Sequence, residues 1–249
     1  MSGTILITGA TAGFGQATSR RFIADGWTVI GTGRRKERLD ALKAELGENF
    51  HSLAFDITDE DALADQLSSL APELSKIDVL VNNAGLALGT GPADQVPIKD
   101  WHTMINTNIT GLVNITHKLL PSLIAQRGIV INLSSVAASW PYSGGNVYAG
   151  TKAFVRQFSL GLRSDLHGKG VRVTSIEPGM CETEFTIVRT GGNVEASNNL
   201  YKGVNPILPE DIANTIAWIV SQPSHININS IEIMPVNQSF AGFQVHRDQ

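Results

Sequence analysis

Thr4-Ile5-Leu6-Ile7-Thr8-Gly9-Ala10-Thr11-Ala12-Gly13-Phe14-Gly15 runs from a short β-branched, apolar segment into a glycine-rich turn, and a helical pattern follows it through Ala24. Strand, glycines and helix in that order fit the opening βα unit of a dinucleotide-binding sheet. The glycines let backbone N–H groups approach a pyrophosphate at the positive end of the helix, where a Cβ would stand in the way. Their spacing is Gly-x-x-x-Gly-x-Gly rather than the better-known Gly-x-Gly-x-x-Gly. A glycine turn with no ligand is the alternative, and the position directly after the first strand weighs against it.

Outward from this unit, apolar runs and helical patterns alternate to the end of the chain. Strands are expected at 27–32, 51–55, 77–81, 128–133, 171–176 and 228–233, and helices at 35–46, 59–70, 101–125, 147–166 and 209–221. The second helix closes at Gly47, a common helix terminator, and the third opens on an acid-rich first turn. Such alternation predicts an α/β fold: a single Rossmann-like, doubly wound parallel sheet of about seven strands flanked by helices, with right-handed crossovers, in one domain over 1–249. Residues 180–206 break the pattern, with weak periodicity and several Gly and Asn, and read as a mobile substrate lid.

Composition narrows the partners. Nineteen Lys and Arg against 23 Asp and Glu give a net charge of -4, with no long block of one sign, which argues against nucleic acid or an anionic membrane surface. Cys181 is the single cysteine, so no disulfide framework or Cys-based zinc site is expected, and a reducing cytoplasm is the expected location. The chain enters its first strand without a signal-peptide pattern, and no apolar run reaches the roughly 20 residues of a membrane span. No compact cluster of His, Cys and carboxylates calls for a metal.

The chemistry gathers between Ser134 and Lys152. Tyr148 and Lys152 lie four residues apart in a helical pattern, so phenol and ammonium share one face. A free phenol has a pKa of about 10, and proton transfer near neutrality calls for roughly three units of depression, part of which an adjacent ammonium would supply. Ser135 follows the apolar run Ile129-Val130-Ile131-Asn132-Leu133, at the carboxyl end of a strand, where open parallel sheets bind ligands.

Ser135 with Tyr148-x-x-x-Lys152, the Gly9 to Gly15 turn, Asn82-Asn83-Ala84-Gly85, Asn106-Thr107-Asn108-Ile109-Thr110-Gly111 and Pro178-Gly179-x-x-x-Thr183 follow one another along essentially the whole chain. In content and order they resemble the short-chain dehydrogenases/reductases. That resemblance implies hydride transfer between NADP(H) and a carbonyl held by Ser135 and Tyr148. Tyr148 would be the general acid, Lys152 would lower its pKa and hold the nicotinamide ribose, and Asn108 would position a relay water; a solvent-facing Asn108 is the alternative. Cofactor contacts are implied at Gly9, Thr11, Gly13, Phe14, Gly15, Asp56, Ile57, Asn83, Ala84, Gly85, Tyr148, Lys152, Pro178, Gly179 and Thr183. Asn82 is as readily structural.

Gly33-Arg34-Arg35 follows the second strand without the acid that takes ribose hydroxyls in NAD enzymes, and two guanidinium groups suit a 2′-phosphate. Pairing of Arg34 or Arg35 with Glu37 or Asp40 is the competing reading. Ser139-Trp140-Pro141-Tyr142 with Gly144-Gly145-Asn146, the run from Lys152 to Ser159 and the tail with Phe240, Phe243, His246 and Arg247 resemble a narrower group, the NADP-dependent 3-hydroxy acid or serine dehydrogenases and the related sulfoacetaldehyde reductases. A small anionic aldehyde or hydroxy acid is the implied substrate: sulfoacetaldehyde and isethionate, or 3-hydroxypropionate or serine. Within the lid Arg189 offers a clamp for the anion, unless it pairs with Glu182, Glu184 or Glu195.

Two other classes fit the sequence less well. A hydrolase using Ser135 would need a histidine base, and no Gly-x-Ser-x-Gly elbow surrounds this serine. A catalytically silent dinucleotide-binding regulator would not need the full Asn108, Ser135, Tyr148 and Lys152 set. The helices around 103–124 and 147–166 carry more apolar side chains than one sheet face uses, and together with the resemblance this gives the expectation of a homotetramer.

Overall fold

The computed structural model describes residues 2–240; of the tail, Phe243, His246 and Arg247 lie outside the described residues. Among those residues seven strands, β1 (Thr4–Thr8), β2 (Thr28–Gly33), β3 (Phe50–Ala54), β4 (Val79–Asn82), β5 (Ile129–Leu133), β6 (Arg172–Pro178) and β7 (Ser230–Ile233), form one sheet in the order β3-β2-β1-β4-β5-β6-β7. Every pairing is parallel, as expected. The helices are α1 (Gly13–Ala24), α2 (Lys36–Leu46), α3 (Glu60–Ser68), α4 (Ile98–Ile105), α5 (Leu112–Gln126), α6 (Asn146–Asp165), α7 (Glu184–Arg189), α8 (Val194–Tyr201) and α9 (Pro209–Ser221).

Strands β1, β4 and β5 are buried along their whole length, because helices cover both faces of a parallel sheet. The period of two divides their side chains between two cores. Ile5, Ile7, Val79 and Val81 meet Phe22 of α1 and Ile212 and Ile216 of α9 on one face. Leu6, Leu80 and Val130 meet Leu63, Ile115, Leu119 and Leu162 on the other. Between β1 and β4 the strand order reverses, and the crevice this leaves at the carboxyl ends is where such sheets take their ligands.

Strand ends differ from the expected ones by a residue or two, a shift common at element boundaries. Two differences are larger. The helix expected at 101–125 begins at Ile98 and is interrupted by a π-helical turn, Asn106–Gly111. The Asn-Thr-Asn-Ile-Thr-Gly run is poor in helix formers, and a Cβ on Gly111 would stand 2.8 Å from Ile57 Cγ2, so the turn passes close beneath the ligand side of β3.

The second difference is the lid, which contains α7 and α8. Each is too short to register as periodicity, and each is started by a side-chain cap: Thr183 Oγ1 accepts from Phe185 N at 3.2 Å and Asn193 Oδ1 from Ala196 N at 2.9 Å. The base of the segment is closed by Glu182 N to Ile207 O at 3.0 Å and Ile207 N to Met180 O at 3.1 Å, and the Tyr201 hydroxyl donates to Cys181 O at 2.7 Å. No described helix is long and apolar enough to cross a membrane.

Candidate active site

The strand ends open into a cavity of about 370 Å³. Gly9, Thr11, Gly13 and Phe14 line it from the glycine turn, Arg34 and Arg35 from beyond β2, Asp56 and Ile57 from beyond β3, and Asn83, Ala84 and Gly85 from beyond β4. Ser135, Tyr148, Lys152, Pro178, Gly179 and Thr183 complete the far side. Gly9 and Gly13 take φ of 69° and 51°, a left-handed backbone that L side chains avoid.

Gly15 does not line the cavity. A Cβ there would stand 2.3 Å from Gly9 O and 2.6 Å from Asn83 Nδ2, so this glycine lets α1 close onto the sheet. Asn83 in turn holds the crevice together, donating through Nδ2 to Thr8 O at 2.8 Å, while Thr8 Oγ1 accepts from Asn83 N and Ala84 N. Asn82 is buried away from the cavity and donates to Thr116 Oγ1 and Asn132 Oδ1, both at 2.8 Å; its role is structural. A groove with Cβ-free glycines at Gly9, Gly13 and Gly85 and guanidinium groups at one end fits an extended dinucleotide bearing an additional phosphate.

At that end the arginines avoid the partners the sequence offered. Asp40 is taken by Lys36 at 2.6 Å. Arg34 Nη1 lies 3.5 Å from Asp56 Oδ2. Arg35 donates from Nε and Nη2 to Thr11 Oγ1 at 3.2 and 2.7 Å, and from Nη1 to Glu184 Oε2 at 3.4 Å. Arg38, which sequence reasoning passed over, reaches both Glu184 oxygens at 2.8 and 3.0 Å. Its place one turn along α2 from Arg34 and Arg35 was the signal available.

Ser135 sits where β5 ends; its Oγ accepts from Ala137 N at 3.1 Å and donates to Pro178 O at 3.4 Å. Tyr148 lines the same cavity as Ser135, and the Ser135 hydroxyl is among the groups that act on the Tyr148 phenol. Burial of the phenolic hydroxyl raises the Tyr148 pKa well above its ordinary value, and the opposing influences are the Ser135 hydrogen bond and the Arg189 charge. The net direction is thus opposite to the expected depression, because burial outweighs the neighbouring charges. Lys152 Nζ stands 5.8 Å from the Tyr148 ring centroid and donates to Leu133 O at 2.7 Å, and burial brings its own pKa down to about 8.

Asn108 is not solvent-facing. From the π-helical turn its Oδ1 accepts from Leu86 N at 2.9 Å, and its Nδ2 donates to Leu86 O at 2.9 Å and Thr151 Oγ1 at 3.0 Å. It clamps the chain leaving Gly85 to the helix that carries Tyr148 and Lys152. The Cys181 thiol lines the cavity with its pKa pushed up to about 12 by burial, which leaves it protonated near neutrality.

Arg189, at the end of α7, does not itself line the cavity but stands against Tyr148, which does. Its guanidinium carbon lies 5.1 Å from the Tyr142 ring centroid and 5.8 Å from that of Tyr148, within cation–π range. Of its suggested acidic partners, Glu184 is held by Arg35 and Arg38, and no ion pair to Glu182 or Glu195 forms among the described residues. Arg189 Nε is buried without a hydrogen-bond partner. Tyr142, in the Ser-Trp-Pro-Tyr run, is the ring that Arg189 faces beside Tyr148, and sequence reasoning did not assign it to the site.

Against known proteins, residues 3–191 match the family described as short chain dehydrogenase. The chain is 77% identical over 248 residues to a serine 3-dehydrogenase of Agrobacterium fabrum, covering 100% of both. It is 53% identical over 245 residues to the NADP-dependent 3-hydroxy acid dehydrogenase YdfG of Salmonella typhi, covering 98% of this chain and 99% of that one. Among solved structures, the closed form of a serine dehydrogenase complexed with NADP+ is similar at TM-score 0.95 and 51% identity, over 98% of this chain and 100% of the other.

Proposed function

Because this chain belongs to the short-chain dehydrogenase family, we propose that it is an NADP(H)-dependent oxidoreductase that interconverts a small 3-hydroxy acid and the corresponding carbonyl compound. The observation that carries the substrate class is Arg189, a cation stacked on Tyr142 and Tyr148 with a buried Nε left unsatisfied. Bound NADP(H) supplies or accepts the hydride. Arg34 and Arg35 would hold its 2′-phosphate, the Gly9 and Gly13 backbone its pyrophosphate, and Lys152, Pro178, Gly179 and Thr183 its nicotinamide end.

Ser135 and Tyr148 would grip the substrate oxygen from two sides. In the reductive direction Tyr148 donates the proton to that oxygen, and in the oxidative direction it takes the proton back. A phenol whose pKa is raised by burial gives up its proton reluctantly and is scarcely present as the phenolate base, so turnover depends on the cations around it. Arg189 already draws it downward, and Lys152 on the next turn of α6 is the second source of positive charge. Asn108 fixes the Leu86 backbone beneath this pair, and its relay role is read from the family resemblance.

An anionic head one carbon from the reacting centre would meet the Arg189 guanidinium through charge-assisted hydrogen bonds. Relatives whose names specify serine and 3-hydroxy acids favour a carboxylate; isethionate presents a sulfonate on the same skeleton. The test is kcat/KM with NADP+ for serine, 3-hydroxypropionate, isethionate and an uncharged alcohol of matching size, in wild type and Arg189→Ala. The carboxylates should lead, and the substitution should raise their KM by roughly tenfold or more while leaving the neutral alcohol little changed. Equal losses for charged and neutral substrates would mean that Arg189 supports the loop and does not read the anion.

A further inference from the structure

We propose that Glu184 is a specificity-determining residue: an exchangeable counter-ion of Arg35 and Arg38 that the 2′-phosphate of NADP(H) must displace. The proposal rests on the reading that the arginines after β2 receive that phosphate. Glu184 lines the groove and opens α7. Its carboxylate takes Arg38 Nη1 at 2.8 and 3.0 Å and Arg35 Nη1 at 3.4 Å, across 146 residues of sequence from Arg38.

Nε and Nη2 of Arg35 donate to Thr11 Oγ1, a hydroxyl of the glycine turn. Arg35 is thus aimed into the phosphate end of the groove while its charge is answered from the lid. Arg38 holds the Glu184 carboxyl below its usual range by hydrogen bonding, so the group is anionic. A phosphate monoester reaching the same guanidinium groups carries more negative charge than a carboxylate and would repel it at that distance.

The side chains of Arg35, Arg38 and Glu184 are each 45–48% exposed, and ion pairs so open to water are weak and readily exchanged. A 2′-hydroxyl has no charge with which to displace the carboxylate, so NAD(H) would leave the bridge in place. Exchange by NADP(H) would release the first turn of α7 from α2. The same helix ends at Arg189, which stands over Tyr148, so the cofactor's phosphate and the substrate's anion are read by the two ends of one short helix.

The experiment is calorimetric titration of the whole protein with adenosine 2′,5′-bisphosphate and with AMP, in wild type, Glu184→Gln and Glu184→Asp. Wild type should prefer the bisphosphate. Glu184→Gln should bind the bisphosphate about three- to tenfold more tightly, with AMP unchanged, and Glu184→Asp should return to wild-type behaviour. If Glu184→Gln weakens the bisphosphate, Glu184 holds the arginines in place for the phosphate and the competition does not exist. Equal shifts for both ligands would show a general latch on the groove and overturn the proposal. A wild type that fails to prefer the bisphosphate would remove the arginine reading itself, and the proposal with it.

Discussion

Lys152 carries its ammonium into the interior, 7% exposed, and burial lowers its pKa from 10.5 to about 8. The consequence for stability has a definite sign. Below the folded value both states hold the proton and the folded chain bears the cost of burying the charge. Between about 8 and 10.5 the unfolded chain binds a proton that the folded chain does not, so stability rises with pH across that window. Subtracting a Lys152→Met variant isolates the contribution. Wild type should gain on the variant as pH rises from 8 toward 10, by at most roughly 3 kcal/mol, followed by urea denaturation at each pH; a flat difference would contradict the burial argument. At this scale the motif residues Ser135, Tyr148 and Lys152 were legible because their spacing is local. The direction of the Tyr148 shift was not, since reading the neighbouring ammonium alone ignores desolvation. Nor were Arg38 and Glu184, whose contact only the fold creates.

Among the elements, β1, the glycine turn and α1 are the unit on which the site depends, and Gly15 is its tightest point. With Gly9 O only 2.3 Å from where a Cβ would sit, Gly15→Ala must push α1 away from the turn. Overpacking of this kind costs about 1–3 kcal/mol. It would also widen the crevice that Asn83 holds closed, so the variant should show both a lower Tm and a weaker dinucleotide affinity. A stable variant with unchanged affinity would show that the turn tolerates the shift. Long, strongly patterned elements such as α9 were readable from sequence, and so was α2. The short helices α7 and α8 were not, because six and eight residues give too few turns for a period to emerge, and their caps Thr183 and Asn193 sit in a run dominated by loop-forming residues. The π-helical turn was foreshadowed only as a weakness in the Asn106 to Gly111 run.

For the molecule as a whole, strand alternation was enough to anticipate a parallel sheet with its ligand crevice at the carboxyl ends, since helical crossovers admit few other arrangements. What the pattern could not supply is how the sheet's outer helices meet other chains. Ile105, Phe154 and Leu160 are 37–38% exposed on α4 and α6, and Phe154 stacks on Phe158 at 5.8 Å between ring centroids. Apolar side chains presented along helices in this way suit isologous pairing about two-fold axes. Light scattering should therefore give about four times the 26.7 kDa mass of the chain; the single-chain mass would contradict a homotetramer.

The central claim is that Tyr148 moves the proton while NADP(H) moves the hydride, and Tyr148→Phe tests it most directly. The substitution removes only the phenolic hydroxyl and leaves the glycine turn and the arginines after β2 untouched. Measured with NADP+ and the 3-hydroxy acid that wild type turns over fastest, kcat should fall by at least about a hundredfold, the lower range for loss of a general acid or base. NADPH should still bind, as read by its fluorescence in titration. Turnover near the wild-type rate, with the cofactor bound as before, would contradict the account.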